Sequence, residues 1–470
     1  MRIIYGIALA CLCGFSGLVA AGRIQIQPNS FYELDLRYYN LQKFHSSYLL
    51  ERPLFTSPLS NDAFLFQVQP TIALRSGENS PSLTTWMQLE LKSGYTFVNE
   101  MQVGYNSDVD STYIGNEWRG GRGATVQSFL QWSKSGKSES KFLIRAGRVY
   151  SQLGPGRHGQ LLLGAAARPL DQLSFSFSRK LSKQLSARFY YQTADLDKIN
   201  GSKRFLALHR FEILGENWYV TFSEALLYTR QNQGIDAVYL NPFLFYHGVQ
   251  LNGPDLAGNT IGTVEIGFSW NTNHVYGEIL IDDIQLDNEI IDDLEPNEVG
   301  ILTGFEHAGK NHYLSVEAVA ITNRTYKTSD RNEWFMHRNV PIGYELGSDI
   351  ARLNLLNRYY FKEGWHLDTE LDVILKGAGD MNKAWDTPWV DPSVTVESGY
   401  SESFPTGIVE QSTRLSAEVL HYWTIERWLS LGLAYESIQN VDNVKDADDK
   451  GWQFSLGASW TLDYEFDFKK

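Results

Sequence analysis

The chain has 470 residues, a formal net charge of −14 and a pI near 5.2. That acidity argues against a nucleic-acid partner and against a basic membrane-surface protein. A mean hydropathy of −0.29 excludes a bundle of membrane helices. Aromatic residues still reach 13 %, with 25 Tyr, 25 Phe and 13 Trp, which fits girdles at two membrane interfaces or a sugar-stacking surface.

In chain order, Arg2 precedes an apolar run from Ile3 to Phe15, and Val19-Ala20-Ala21 supplies small residues for cleavage. This predicts a signal peptide over 1–21 and export beyond the inner membrane. Both cysteines, Cys11 and Cys13, lie inside it, so the mature chain is expected to use neither disulfides nor thiolate chemistry. Residues 22–63 read as a periplasmic N-terminal segment with short helices. Ser30 and Glu33 form a capping box, Phe31, Leu34, Tyr38, Leu41 and Phe44 fall near helical spacing, and Arg52-Pro53 ends the pattern.

From residue 64 to 468 the pattern is strand and turn. It predicts an all-β transmembrane fold: an antiparallel outer-membrane β-barrel of about eighteen strands, running from 64–76 and 83–92 through 185–193 and 204–214 to 452–468. Short connections such as Ser93-Gly94, Gly215-Glu216 and Gly309-Lys310-Asn311 use residues that accept positive φ. They alternate with long ones at 105–123, 150–169, 230–259, 324–348 and 377–410. Tight periplasmic turns and long outer loops are what a barrel threaded across one membrane requires. The last strand is the clearest: Trp452, Phe454, Leu456, Ala458, Trp460, Leu462, Tyr464, Phe466 and Phe468 alternate with polar residues. Its aromatic end matches the C-terminal signal read by barrel-assembly machinery, although Lys469-Lys470 follow it. Lys92, Arg145, Arg188 and Arg414 fall on the lumen face with carboxylates, as wall-to-wall ion pairs, loop contacts or a permeation path. Glu224 breaks the pattern by falling on the lipid face, at the outer interface in this reading.

Several loop residues carry candidate chemistry. Gly154-Pro155-Gly156 predicts a rigid bend at the base of an outer loop. Arg148, Arg157 and Arg168 suit carboxylate clamping, either of the barrel's own acids or of an acidic sugar. Asn241-Pro242 predicts a turn that presents Phe243, Phe245 and Tyr246 as an aromatic ledge. Asp282-Asp283 ends a strand at the outer rim, where it can pair with arginines or hold Ca²⁺. His337-Arg338 lies beside Trp334 in mid-loop. Trp385 and Trp389 flank an acid and a proline in the longest outer loop and suit a stacking platform or a plug.

Four stretches, by order and spacing, resemble the Wzi capsule-assembly family of outer-membrane proteins. They are Arg145-Ala146-Gly147-Arg148 with Leu153–Arg157 and Ala167–Leu170, then Tyr239–Tyr246, then Val275–Ile284, and finally Phe335–Tyr344 with Gly343, closing at Leu346-Gly347-Ser348-Asp349. The resemblance implies an eighteen-stranded barrel whose lumen is blocked by loops. It also implies a lectin-like outer surface that anchors capsular or related polysaccharide, with no catalytic residues, no metal and no cofactor. The candidate polysaccharide contacts are then Arg148, Arg168, Trp334, His337, Arg338, Trp385 and Trp389. The expected partners are that polysaccharide, outer-membrane lipid and the barrel-assembly machinery, with no nucleic acid. A porin-like channel for sugars or anions is the rival reading. A lipid hydrolase is weaker, since neither Gly-x-Ser-x-Gly nor His-Glu-x-x-His occurs.

Overall fold

The computed structural model describes residues 63–75, 78–91, 93–105, 121–136, 140–164, 167–231, 234–250, 258–285, 289–424, 427–460 and 462–467. The expected signal peptide, the helical segment that follows it, Lys92 and Phe468–Lys470 lie outside them.

The strands are β1 (Ala63–Arg75), β2 (Glu78–Glu90), β3 (Tyr95–Tyr105), β4 (Gly121–Ser135), β5 (Lys141–Val149), β6 (Leu170–Lys180) and β7 (Ser186–Ile199). There follow β8 (Ser202–Leu214), β9 (Trp218–Arg230), β10 (Gly258–Trp270), β11 (Asn273–Asp283), β12 (Glu298–Ala308) and β13 (His312–Ile321). A two-rung hairpin, β14 (Met336–His337) and β15 (Val340–Pro341), sits within the next connection. The chain then forms β16 (Ile350–Lys362), β17 (Trp365–Lys376), β18 (Glu410–Thr424), β19 (Arg427–Gln439), β20 (Asp449–Ser459) and β21 (Leu462–Asp467).

Apart from the hairpin, all nineteen strands form one antiparallel sheet in which each strand pairs with the next in sequence as far as β20, and β21 pairs with β1. β1 pairs on one edge with β2 and on the other with β20 and β21, so the sheet closes on itself. Along β1, Ala63–Val68 face Asp467–Leu462 and Thr71–Arg75 face Ser459–Ser455 with no shift in register. β20 and β21 are therefore one strand with an interrupted ladder, and the nineteen strands occupy eighteen positions. Closure removes the unpaired edge that would otherwise expose backbone donors and acceptors.

Side chains alternate as the sequence predicts. Trp218, Val220 and Phe222 are exposed on the outer wall, whereas Tyr219, Thr221 and Ser223 are buried inside. Among the described residues, no helix is long and apolar enough to cross a membrane. Inside, Arg210 is fully buried between Glu212 and Glu265, and Arg188 adds a second bond to Glu212 at 3.0 Å. Deleting one member of such a buried network leaves an uncompensated charge at a cost of roughly 3–5 kcal/mol.

Two boundaries differ from the sequence reading. β7 runs on to Ile199 and meets β8 through a two-residue turn, with Asn200 at φ 49° and Gly201 at φ 84°. The polar run Asp195–Lys198 reads as loop, but Asp197 bonds Arg204 on the adjoining strand at 2.9 Å. β2 likewise begins at Glu78 because Asn79 and Ser80 continue the ladder against Leu74 and Ala73.

The connections at one end are short turns, and the long ones lie at the other. Two of the long loops, 150–169 and 322–349, fold into the lumen. Leu161, Leu162, Leu163, Phe335, Ile342 and Tyr344 are buried there against wall residues such as Leu280, Leu302 and Ile321. Between β9 and β10, residues 234–250 fold down the outer wall.

Candidate functional site

The 150–169 loop reaches deep into the lumen. Gly154, at φ 139°, reverses the chain where a Cβ would lie 2.7 Å from the Gln160 Cβ and 2.9 Å from a Glu278 oxygen. The Gly154-Pro155-Gly156 bend thus lies at the tip of an inserted loop, not at the base of an outer one. Leu153 and Leu163 bridge above it. The amides of Arg157 and His158 donate to the Glu317 carboxylate at 2.7 and 3.1 Å, and the Leu161 amide donates to Glu278 at 3.2 Å. Wall carboxylates thereby satisfy backbone donors that would otherwise be buried without partners. Arg157 also stacks over the Tyr313 ring, its guanidinium carbon 4.5 Å from the centroid, and lies 3.5 Å from Glu306. Burial, together with the cations Arg352 and Arg157, lowers the pKa of His158 to about 4, so its ring is neutral at neutral pH.

The second inserted loop locks onto the first. Tyr326 Oη donates to the Leu161 carbonyl at 2.6 Å, and the Gly164 amide donates to the Ile342 carbonyl at 2.8 Å. Gly343 has no side chain because one would strike this contact: a Cβ would meet the Leu161 carbonyl oxygen at 2.5 Å and the Tyr326 ring at 2.8 Å. Arg352 binds Asp372 at 2.7 Å, Glu345 at 2.9 Å and the Tyr344 hydroxyl at 3.2 Å, tying wall to plug.

The 377–409 loop roofs this end, and Asp349 fastens it. Buried and at φ 59°, Asp349 accepts from the Gly379 amide at 2.8 Å, the Thr406 amide at 2.9 Å and the Thr406 hydroxyl. One carboxylate thus draws both ends of the loop together. At the centre of the roof, Arg324 donates to Glu402 at 2.8 Å and to Asp386 at 2.9 Å. It also stacks on Trp389, its guanidinium carbon 4.9 Å from the ring centroid. Trp389 is buried. Trp385 stands perpendicular to it at 6.4 Å and is half-buried, Tyr400 lies 6.4 Å from Trp389 on another side, and the Asp386 side chain is 68 % exposed. This arrangement joins an accessible indole, a rigid aromatic base and carboxylates within one loop.

The other sequence candidates occupy different settings. Trp334 is buried, donates to the Thr328 carbonyl at 2.9 Å, and lies beneath Lys327 and Arg331. His337 is buried against Asp197, and Arg338 and Asn339 form the positive-φ turn of the β14–β15 hairpin. Arg148 is not in the lumen: it makes a bidentate bond to Asp171 at 2.8 and 2.7 Å on the outer wall. Asp171 also lies within electrostatic reach of Arg338 and His337, so these three candidates share one stretch of rim. Arg168 is half-buried where the 150–169 loop joins β6. Asp282 receives the Tyr326 amide and Asp283 the Gln285 side chain at 3.1 Å. Among the described residues, no group of three or more His, Cys, Asp or Glu is placed to hold a metal ion. Asn241 caps a turn through the Phe243 amide at 3.2 Å, with Pro242 between them; of the expected ledge, Phe243 and Phe245 are exposed and Tyr246 is buried.

The tertiary structure therefore unites Trp385 with Trp389, and Arg148 with His337 and Arg338, as two separate groups. The sequence reading missed Arg324, Asp386, Tyr400 and Glu402 as one cluster. The available signal was a single arginine just after a strand, together with an acidic loop more than sixty residues on.

Comparison with known proteins adds four findings. The family model described as capsule assembly protein Wzi matches residues 136–451. Among solved structures, the chain is similar to Wzi of Escherichia coli, described as an outer-membrane protein involved in group 1 capsule assembly and a carbohydrate-binding β-barrel. The identity is 13 %, the coverage is 92 % of this chain and 89 % of that one, and the TM-score is 0.56. Acinetobacter baumannii OccAB4 aligns at 11 % identity over 87 % of this chain and 100 % of its own, with a TM-score of 0.48. No curated protein sequence matches the chain.

Proposed function

Because the chain belongs to the Wzi capsule-assembly family, we propose that it is a lectin-like protein of the bacterial outer membrane that binds and anchors capsular or related surface polysaccharide at its loop end, and that it is neither a channel nor an enzyme. The observation that carries this reading is the plugged lumen beneath a fastened aromatic roof. A channel needs a continuous polar path, whereas here two loops fill the lumen with an apolar core shared with the wall. A binding surface needs rigid groups with accessible faces, and Trp385 over the Arg324–Trp389 base supplies one.

In this reading the C–H face of a sugar ring stacks on Trp385, and its hydroxyls donate to Asp386. Trp389, Trp334 and His337 hold the loops in shape from beneath. Arg338, at the β14–β15 turn, is the rim cation that meets acidic sugars, beside the Arg148–Asp171 pair. The testing experiment measures binding of purified surface polysaccharide to the detergent-solubilised protein. Trp385→Ala should weaken binding on the order of tenfold, about 1.4 kcal/mol, with the barrel still folded by its heat-dependent gel migration. Unchanged binding by a folded Trp385→Ala protein would remove this site from the reading.

A further inference from the structure

Residues 234–250, between β9 and β10, do not join the other loops at the outer end. They form an apron that folds down the outer wall of β7, β8 and β9 and covers outward-facing residues that the strand pattern assigns to lipid. Phe205, Ala207, Leu226 and Tyr228 on that wall are buried beneath Tyr239, Leu244 and Tyr246 of the loop. Tyr191 of β7 donates to the Tyr239 carbonyl at 2.6 Å, and Asp236 pairs with Arg230 at the top of β9.

The polar residue that broke the lipid-facing pattern lies under this apron. Glu224 is wholly buried and accepts from the Tyr246 amide at 2.8 Å and the His247 amide at 2.9 Å. The imidazoles of His247, at 2.7 Å, and His209, at 3.2 Å, complete its shell. Opposite it in the ladder is Gly262, whose missing side chain leaves space beside the His247 ring, 3.8 Å from where a Cβ would lie. The carboxylate acts as a clamp that holds the apron against the wall.

Apart from Asn241, the large exposed side chains of the apron's free face are apolar. Ile235, Val238, Leu240, Phe243 and Phe245 are exposed, Phe243 to 70 % and Phe245 to 57 %. Phe243 stacks on Phe189 with centroids 5.0 Å apart, and Phe189 lies 4.7 Å from Phe211. Phe211 pairs with Phe222, and both belong to the exposed band of the outer wall. Phe222 is four residues above Trp218 on β9, roughly 13 Å along the strand and ~10 Å up a wall tilted by ~40°. The tip of the apron therefore stands beside a rung within the ~25 Å apolar band of such barrels.

We propose that this apron is a lateral membrane anchor: its tip, Phe243 and Phe245, inserts among the acyl chains of the outer leaflet, clamped to the barrel by Glu224, His209 and His247. The argument needs only a barrel in a bilayer and is independent of polysaccharide binding. It commits to acyl chains because the exposed rings continue the lipid-facing band without a polar break.

The test uses the full chain with Cys11 and Cys13, its only cysteines, changed to serine. Nitroxide labels are placed one at a time at Phe243→Cys, Phe245→Cys and, as an aqueous control, Val390→Cys in the roof loop. In phosphatidylcholine vesicles, collision with oxygen should exceed collision with a nickel chelate severalfold at 243 and 245, and the order should reverse at 390. Adding Glu224→Ala should shift the 243 label toward the nickel-accessible regime. Labels at 243 and 245 open to nickel in the folded wild-type background would overturn the proposal. So would protection from both reagents with spin–spin coupling between copies, which would make the face a contact between two copies of this chain.

Discussion

Asp349 shows how a single side chain can organise a loop. Its left-handed backbone, φ 59°, is one that Asp tolerates better than most residues, and it turns the carboxylate away from β16 toward the roof. The three donors it receives come from Gly379 and Thr406, 30 and 57 residues on. Asp349→Ala would leave them buried without a partner, at a cost of about 2–4 kcal/mol. We expect the 377–409 loop to detach from an intact barrel, with trypsin then cutting at Lys383. Resistance of Lys383 in the variant equal to wild type would show that the loop is held by other contacts. The sequence marked Asp349 as part of a motif but could not show its task, because the donors are backbone groups of a distant loop. Trp385 and Trp389 were legible as a pair because only three residues separate them. Arg324, which orients both through Asp386 and Trp389, was not.

At the scale of elements, the strands were legible and the fate of the loops was not. Alternation with period 2 is set by neighbouring residues, so the outer faces of β9 and β20 follow from local sequence. Local pattern also erred where a distant contact intervenes: Asp195–Lys198 reads as a loop, but its Asp197 carboxylate serves Arg204 and His337. The plug loop carries a pH dependence through His158. Its ring has a pKa of about 4 when docked, against an ordinary 6.5. The undocked or unfolded chain therefore takes up a proton that the docked loop refuses. Stability from this group is complete above pH 6.5 and falls progressively down to about pH 4, by about 3 kcal/mol at most. Thermal midpoints of wild type and His158→Gln should therefore run parallel above pH 6.5 and diverge below it, with wild type falling faster. Parallel curves down to pH 4 would mean that the ring is already charged or hydrated when docked.

At the scale of the whole molecule, the plug is what separates the proposed anchor from a pore, and its test is electrical. In planar bilayers the intact protein should give no steady current. Replacing 154–162 with a short Gly-Ser link should produce ion-conducting openings, since it removes the chain segment that Glu278 and Glu317 hold in the lumen. Steady openings of the intact protein would instead favour the channel reading. The sequence by itself determined the closed antiparallel wall, its eighteen positions, and which ends carry turns and which carry loops. Each of these rests on alternation, turn chemistry and spacing within a few residues. Only the tertiary structure decided that two long loops enter the lumen, that another roofs it and that residues 234–250 lie along the outer wall. Those choices depend on single contacts across great separations, such as the Arg157 amide on Glu317, 160 residues away, and no local pattern encodes which distant carboxylate a loop's backbone will find.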